Sequence, residues 1–196
     1  LKELARGGMA VIFTAYQQSL KRQIAVKILP KSLVTPVAAK LFQQEAESAA
    51  ILSHPHIIPV YEVGETEEFL FFTMQLVQGN ELSHYIRQAK KNIVPSKRFM
   101  PLPTVISLML KVLDALAYAH GEGVIHRDVK PANILLDERN EPVITDFGLA
   151  RQLESGGENQ LTQTGMLLGT PAYMSPEQVS GEPDKIGPAS DVYALG

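Results

Sequence analysis

The chain has 196 residues, of which 45% are hydrophobic and 20% charged, and its net charge is −3. This composition is that of one globular domain or two small lobes, without the basic excess typical of nucleic-acid-binding proteins. Because cysteine is absent, disulfides and thiolate metal sites are excluded. We expect no bilayer-spanning run and no signal peptide. We interpret the one basic cluster as a solvated loop; it comprises Lys90, Lys91, Lys97 and Arg98.

Residues 1–77 are predicted to form a strand-rich lobe. The stretches "MAVIFTAY" and "IAVKILP" are rich in β-branched residues, and Pro30 ends the second. Apolar residues then recur at helical spacing over about 36–52. Two further apolar stretches, "IIPVYEVGE" and "EFLFFTMQLV", predict two more strands. The order strand, strand, helix, strand, strand predicts a small sheet with one helix against it.

Residues 78–196 are predicted to form a mainly helical lobe, which makes the fold class α+β. We expect Gly79 to end the sheet region, "ELSHYIRQAK" to be a short helix, and about 104–120 to be a long one. The stretch "NILLDERNEPVITDF" predicts two short strands around a polar turn. Residues 155–165 show no periodicity and are expected to be mobile. The final "ASDVYALG" predicts a helix that has only begun, so we expect this lobe to be truncated at its C-terminal end.

The stretch "LARGGMAVIF" near the start poses a question that it cannot answer alone. Two adjacent glycines precede a β-branched run, and alanines stand on either side at Ala5 and Ala10. This pattern fits a phosphate-binding loop that lacks two of its glycines. It fits a tight turn between two strands equally well.

A dense set of polar residues interrupts two apolar stretches in "VIHRDVKPANILL". Loops that interrupt buried elements are where catalytic groups tend to be presented. Shortly afterwards, "ITDFGLA" places Asp146 directly after an apolar strand. Earlier, "IAVKIL" places Lys27 inside an apolar strand, where a charge is costly unless it is paired. Glu45, in the predicted helix that follows, is well placed to pair with it.

Together with the later "GTPAYMSPEQ", this ordered set resembles the protein kinase family. The resemblance is to the bacterial kinases that are similar to eukaryotic Ser/Thr kinases, and it runs the length of the chain. It implies a two-lobed fold, with a small antiparallel sheet lobe plus one helix followed by a mainly helical lobe. Ser175 and Tyr193 depart from the usual "APE" and "DVWSLG" motifs.

The resemblance assigns roles residue by residue. Asp128 matches the catalytic base, and Lys130 matches the residue that neutralises charge on the transferred phosphoryl group. Asn133 and Asp146 match the Mg²⁺ ligands, and both offer the hard oxygens that Mg²⁺ prefers. The implied cofactors are ATP and Mg²⁺.

An ATP site is implied in the N-terminal lobe and at the start of the second lobe. Lys27 matches the lysine that holds the α- and β-phosphates, with Glu45 as its ion-pair partner. Met74 matches the gatekeeper, and residues 75–77 match the hinge. The full set is Leu4, Ala5, Arg6, Gly7, Gly8, Met9, Ala10, Val11, Ala25, Lys27, Glu45, Gln75, Val77 and Leu135. Core packing is the competing interpretation for Leu4, Val11, Ala25 and Leu135.

Within this family, "LARGGMAVIF" matches the glycine-rich loop over the phosphates. Gly7 matches its middle glycine, while Ala5 and Ala10 replace the first and third. If either alanine had to adopt a left-handed conformation, the cost would be roughly 1 kcal/mol or more. If both stay in the β region, the cost is small.

The resemblance also implies a regulatory set. In this family, an arginine at the position of Arg127 pairs with a phosphate on the activation segment, which spans 146–177 here. Thr162 and Thr164 are the expected phosphate acceptors, with ordinary polar loop residues as the alternative. Thr170 matches a threonine that bonds back to the catalytic loop.

The function implied is transfer of the γ-phosphoryl of Mg·ATP to Ser and Thr hydroxyls of proteins, with autophosphorylation of the activation segment. The alternatives are a pseudokinase or nucleotide-binding scaffold and, less favoured, a small-molecule kinase. The expected partners are protein substrates, with dimerisation allowed for autophosphorylation in trans and no nucleic acid. We expect a cytoplasmic location, with tethering to a membrane only through parts of a parent protein outside this chain.

Overall fold

The computed structural model describes residues 1–7, 10–147 and 171–196. Its first sheet has five strands in the order β1-β2-β3-β5-β4, and every neighbouring pair is antiparallel. The strands are β1 (Lys2–Arg6), β2 (Val11–Gln17), β3 (Arg22–Pro30), β4 (Val60–Glu65) and β5 (Phe69–Gln75). This is one strand more than predicted. All five residues of β1 are exposed, so its sequence carries no apolar alternation to reveal it.

Helix α1 (Pro36–Ala50) packs against this sheet. It begins where the sequence dictates, because the Thr35 side chain accepts a hydrogen bond from the Ala38 N–H (3.2 Å) and Pro36 occupies the first helical position. Its buried face includes Phe42 and Ala46, which join β3 and β5 residues in one apolar core. The same face carries Glu45, which is only 2% exposed.

A second sheet of three strands follows, made of β6 (Gly79–Glu81), β7 (Ile134–Asp137) and β8 (Pro142–Ile144). The expectation that Gly79 ends the sheet region is wrong, because Gly79 begins β6 and pairs with Asp137. A Cβ at position 79 would lie 1.8 Å from the Leu136 carbonyl oxygen, so this close approach requires glycine. Strand β6 has only three residues, which are too few to show the alternation that would have predicted it.

The predicted lobe boundary at residue 77 stays a prediction.

The remaining helices are α2 (Leu82–Lys90), α3 (Leu102–Gly121), α4 (Pro176–Val179) and α5 (Pro188–Tyr193). Helix α3 is long and apolar enough, by length and composition, to cross a membrane, which corrects the expectation that no stretch of the chain is. Its buried side chains include Val112, Ala115 and Leu116, and they lie in a second apolar core with residues of β7 and β8. The core helix of a globular domain passes the same length and composition test.

Candidate active site

Lys27 lies at the centre of a buried ion cluster. In β3 it stands opposite Ile12 of β2 and Phe72 of β5, and its neighbours in the sheet leave it only 8% exposed. Its Nζ lies 2.6 Å from Glu45 Oε1 and 2.7 Å from Asp146 Oδ1. The predicted pairing with Glu45 is present, and the same ammonium also holds Asp146, which is 119 residues away along the chain.

This cluster has two carboxylates for one ammonium. Burial raises the pKa of Glu45 to about 8. The Lys27 ammonium acts to lower this pKa, whereas the nearby Asp146 carboxylate acts to raise it further. Burial would also raise the pKa of Asp146, but the Lys27 ammonium beside it lowers that pKa to about 2. Glu45 Oε2 is buried and has no hydrogen-bond partner among the residues that the structure describes. The cluster therefore favours an additional proton or cation, because its negative charge exceeds its positive charge.

A second polar cluster forms in the loop between Asp128 and Asn133. Asp128 Oδ2 accepts hydrogen bonds from Lys130 Nζ (2.7 Å) and Asn133 Nδ2 (3.0 Å). Asn133 Nδ2 also donates to the Asp128 backbone oxygen (2.8 Å). Within the described residues, Asp128 Oδ1 has no donor, so this oxygen is left to accept a hydrogen bond from a hydroxyl.

The two clusters are joined through the backbone. The Thr145 N–H donates to the Asn133 carbonyl oxygen at 2.9 Å, and Asp146 is the next residue. The amide nitrogen of Asn133 donates to Asp128, and within the described residues no donor is bound to its Oδ1, which is left as an oxygen ligand. The structure thus brings together six of the predicted site residues: Lys27, Glu45, Asp128, Lys130, Asn133 and Asp146.

These oxygens fit Mg²⁺. The low pKa keeps Asp146 ionised, and Asn133 Oδ1 is neutral and hard, as Mg²⁺ ligands are. No group of three or more His, Cys, Asp or Glu residues that could hold a metal occurs in the part of the chain that the structure describes. Mg²⁺ is commonly held by only one or two carboxylates together with substrate phosphates and water, and Asp146 offers one such carboxylate.

The loop before Asp128 is held by Asp191 of α5, a residue to which the sequence analysis assigned no role. Asp191 Oδ1 accepts from the Arg127 N–H (2.7 Å), and Oδ2 accepts from the His126 N–H (2.9 Å). His120 Nε2 lies 2.7 Å from the same Oδ2. The "SDVYALG" motif was the available signal, but only its tertiary placement shows what this carboxylate binds.

His126 supports the loop from inside the core. Its Nδ1 accepts from the Asp128 N–H (3.2 Å), so Nε2 carries the hydrogen and donates to the Thr145 carbonyl oxygen (2.9 Å). Its ring packs on Phe147, with 4.6 Å between ring centroids. The imidazole is therefore held in one orientation between the Asp128 loop and the segment that carries Asp146.

Two non-glycine residues of the site have left-handed backbones: Arg127 (φ 67°) and Asp146 (φ 61°). Each such conformation costs about 1 kcal/mol or more and persists only where the surroundings enforce it. Arg127 is enforced on both sides, because its N–H donates to Asp191 and its carbonyl oxygen accepts from Gln178 Nε2 (2.7 Å). The strained backbone of Arg127 is thus held by groups in α4 and α5.

The backbone of the glycine-rich loop shows whether the alanines at positions 5 and 10 are strained. Neither Ala5 nor Ala10 has a positive φ, and the Gly7 N–H donates to the Ala10 carbonyl oxygen at 2.9 Å. The two alanines therefore incur no left-handed strain. Gly8 and Met9 lie outside the described residues.

The register of β2 separates two neighbouring apolar residues. Ile12 stands opposite Lys27 and so lies on the face of the sheet that carries the ion cluster, whereas Val11 stands opposite Ile28 on the other face. Val11, predicted as a wall of the nucleotide site, therefore lies on the face away from the ion cluster, and Ile12, which was not predicted, lies on the face of the cluster. Counting alternation back from Lys27 across a hairpin of known length would have found Ile12.

The other predicted nucleotide-site residues lie in different surroundings. Ala25 shares the Lys27 face and pairs with Met74, and both are buried. Leu135 pairs with Val143 in the second sheet. Leu4 is 49% exposed, and the Arg6 guanidinium bonds to Glu3 rather than to the ion cluster. Gln75 ends β5, and its N–H donates to the Pro59 carbonyl oxygen, while Val77 packs against the first core.

The predicted phosphate acceptors Thr162 and Thr164 lie outside the described residues, as do Thr170 and the segment 155–165 that was expected to be mobile. Of the predicted regulatory set, the structure describes only Arg127.

The comparisons with known proteins agree with this geometry. A probable serine/threonine-protein kinase of Streptomyces coelicolor is 36% identical over 98% of this chain and 28% of its own length. The serine/threonine-protein kinase PknB of Mycobacterium tuberculosis is 38% identical over 98% of this chain and 30% of its own length. The chain therefore spans less than a third of these two relatives.

The fold has a solved counterpart. The crystal structure of a mutant PknI kinase domain of Mycobacterium tuberculosis superposes with a TM-score of 0.74 at 28% identity, covering 100% of this chain and 68% of that chain. The family model described as "Protein kinase domain" matches residues 1–196. The buried lysine–carboxylate cluster, the Asp128 loop and these matches lead to one conclusion: the chain belongs to the protein kinase domain family.

Proposed function

We propose that this chain is the catalytic region of a protein serine/threonine kinase, which transfers the γ-phosphoryl of Mg·ATP to Ser and Thr hydroxyls of proteins. The observation that carries the proposal is the buried hydrogen bond from Lys27 Nζ to Glu45 Oε1, which is 2.6 Å long, while Lys27 also contacts Asp146. Phosphoryl transfer is achieved mainly by positioning and charge stabilisation, and in protein kinases this lysine–glutamate pair must be formed.

Each residue then has a task. Lys27 binds the nucleotide phosphates, and Glu45 keeps its ammonium in place. Asp128 orients the acceptor hydroxyl through Oδ1 and takes its proton, while Lys130 and Asn133 hold Oδ2. Asp146 and Asn133 would hold Mg²⁺, which supplies neutralising charge to the phosphates when it is bound. Lys130, whose Nζ lies 2.7 Å from Asp128 Oδ2, would supply positive charge to the transferred group.

The relatives named as serine/threonine kinases support the acceptor class, and their family uses ATP with a divalent metal.

We further propose autophosphorylation at Thr162 or Thr164, with Arg127 as the partner of the phosphate. Since ATP and Mg²⁺ are supplied inside the cell, we propose a cytoplasmic location for this region. Phosphopeptide mapping of active protein that finds neither threonine modified would refute the autophosphorylation proposal.

The test of the proposed function compares acceptor classes. The protein is incubated with Mg·ATP and, in parallel, with a Ser/Thr peptide, a basic protein and a panel of small hydroxyl compounds. We expect phosphoserine or phosphothreonine in the first two reactions and no transfer in the third. Transfer to small molecules alone would assign a small-molecule kinase. ATP binding without any transfer would assign a nucleotide-binding scaffold.

A further inference from the structure

The side chain of Gln178 in α4 bridges the end of the activation segment and the loop that carries Asp128. Its Nε2 donates to the Arg127 carbonyl oxygen at 2.7 Å, although the two residues are 51 positions apart. Its Oε1 accepts from the Ser175 N–H at 3.0 Å and from the Ser175 hydroxyl at 3.2 Å. Both ends of this amide are therefore bound, and the sequence predicted no role for Gln178.

The partners of the Gln178 amide fix its orientation. A backbone N–H can only donate a hydrogen bond, and a backbone carbonyl oxygen can only accept one. The amide oxygen must therefore face Ser175, and the amide nitrogen must face Arg127. Turning the amide over would place two acceptors together at Arg127 and two donors together at Ser175, so the bridge exists in one orientation.

Ser175, which replaces the first alanine of the usual "APE" motif, supports this orientation. It is fully buried and is the N-cap of α4, and Gln178 is the third residue of that helix. A glutamine at the third helical position commonly reaches back to the backbone N–H of the N-cap. The Ser175 hydroxyl adds a second donor to the same Gln178 oxygen, and an alanine lacks that donor. The serine therefore helps to keep the amide nitrogen directed at Arg127.

The oxygen that Gln178 binds belongs to the peptide unit that joins Arg127 to Asp128. A peptide unit is planar, so this carbonyl oxygen and the Asp128 N–H can only turn together. Gln178 holds the oxygen at 2.7 Å, and His126 Nδ1 holds the N–H at 3.2 Å. The peptide plane from which Asp128 starts is thus bound at both edges.

Arg127 needs this restraint because its backbone is left-handed, with φ at 67°. A residue with a Cβ leaves such a conformation unless its surroundings prevent it. To leave it, one of the two peptide planes beside the Arg127 Cα must turn. Asp191 holds the plane before Arg127 through its N–H, and Gln178 holds the plane after it. Loss of the Gln178 bond would leave the plane that leads to Asp128 to the longer His126 bond.

We propose that Gln178 is a positioning residue for phosphoryl transfer. Its amide, oriented by Ser175, fixes the peptide plane before Asp128 and thereby aims the Asp128 carboxylate at the acceptor hydroxyl. This inference rests on the proposed kinase function. The bridge does not involve the buried ion cluster around Lys27, so it should affect the transfer step and leave nucleotide binding unchanged.

The test measures kcat and the KM for ATP of the full-length protein with Mg·ATP and a peptide that has a single threonine acceptor. In Gln178→Glu, a carboxylate oxygen still accepts from Ser175, and glutamate serves as well as glutamine at this helical position. The variant keeps the start of α4 but has no hydrogen to donate to Arg127. We expect kcat to fall about tenfold to a hundredfold, because a small misplacement of a reacting group has an effect of that size. The KM for ATP should stay unchanged.

Matched variants separate the bridge from a change of charge. Gln18 is exposed in the turn that follows β2, so Gln18→Glu makes the same chemical change there and should leave kcat unchanged. Ser175→Ala keeps the Ser175 N–H and should lower kcat less than Gln178→Leu, which removes both ends of the amide. Because Ser175 acts on Arg127 through Gln178, the double variant Ser175→Ala/Gln178→Leu should be no slower than Gln178→Leu alone. Urea unfolding verifies that each variant is folded in the assay.

An unchanged kcat in Gln178→Glu would overturn the positioning proposal and leave the kinase proposal intact. A raised KM for ATP, or failure of that variant to fold, would also overturn it, since either result would assign Gln178 a general structural role. Additive losses in the double variant would overturn the orienting role of Ser175. Absence of transfer by the wild-type protein would refute the kinase proposal instead, and the positioning proposal with it.

Discussion

The carboxylate of Asp191 accepts a hydrogen bond from the Arg127 N–H at 2.7 Å, which connects α5 to the residue that precedes Asp128. Arg127 holds a left-handed backbone there, and the carboxylate is almost fully buried (1% exposed). The geometry of the catalytic loop is therefore enforced by a residue 64 positions later in the chain.

Replacing this carboxylate should affect both stability and turnover. In Asp191→Asn, only one side-chain oxygen remains to accept from the two backbone N–H groups, so a buried donor is left unsatisfied. We expect a loss of about 1–3 kcal/mol in the free energy of unfolding and a reduced kcat. Asp184→Asn is the control, since Asp184 is exposed. Urea unfolding and initial rates provide the two readouts; equal effects of the two variants would contradict this role of Asp191.

The ion cluster predicts a pH dependence of stability. The pKa of Glu45 is about 8 in the folded state against 4.5 in the unfolded state, so the folded protein keeps a proton that the unfolded chain releases. The contribution of Glu45 is therefore fully present below pH 4.5 and is lost as the pH rises towards 8. The slope is at most about 1.4 kcal/mol per pH unit. Asp146 behaves in the opposite way, because its pKa is lowered in the folded state. Its contribution to stability is fully present above pH 3.8 and is lost as the pH falls towards 2.

Glu45→Gln removes this titration and should flatten the profile between pH 4.5 and 8, measured by urea unfolding at several pH values. Glu47→Gln lies on the exposed side of the same helix and should leave the slope unchanged. A slope that persists in Glu45→Gln would show that another group titrates.

The register of β2 predicts different effects for two adjacent residues. Ile12→Ala should raise the KM for ATP about fivefold to thirtyfold, because an apolar contact on the Lys27 face is lost. Val11→Ala, on the other face, should change that KM much less. Steady-state kinetics with varied ATP compares them, and a larger effect at position 11 would contradict the assigned faces.

Restoring glycine in the phosphate loop should cost little affinity. Because neither Ala5 nor Ala10 has a positive φ, glycine is not needed there for backbone geometry. Ala5→Gly with Ala10→Gly should leave the KM for ATP unchanged or lower it. If that KM rises markedly in the same ATP titration, the loop adopts another geometry when it holds nucleotide.

Local sequence patterns predicted the residues that carry the proposed chemistry better than the residues that hold them in place. Asp128, Asn133 and Asp146 were predicted because each stands in a motif of consecutive residues, and the structure brings them together. Ile12 was missed because the face of a strand depends on its register, which one strand alone does not fix. Strand β6 and the role of Asp191 depend on pairing with distant segments, and no periodicity or local spacing records those contacts.

In the proposed function, Asp128 takes the proton of a protein hydroxyl during transfer from Mg·ATP. The most direct measurement incubates the full-length protein and its Asp128→Asn variant with Mg·ATP and a basic protein, and identifies phosphorylated residues by mass spectrometry. An amide cannot take the proton, so we predict phosphate on Ser or Thr with the wild type and a rate about 10²- to 10⁴-fold lower in the variant. Equal transfer by a variant that still folds and binds ATP would contradict the account.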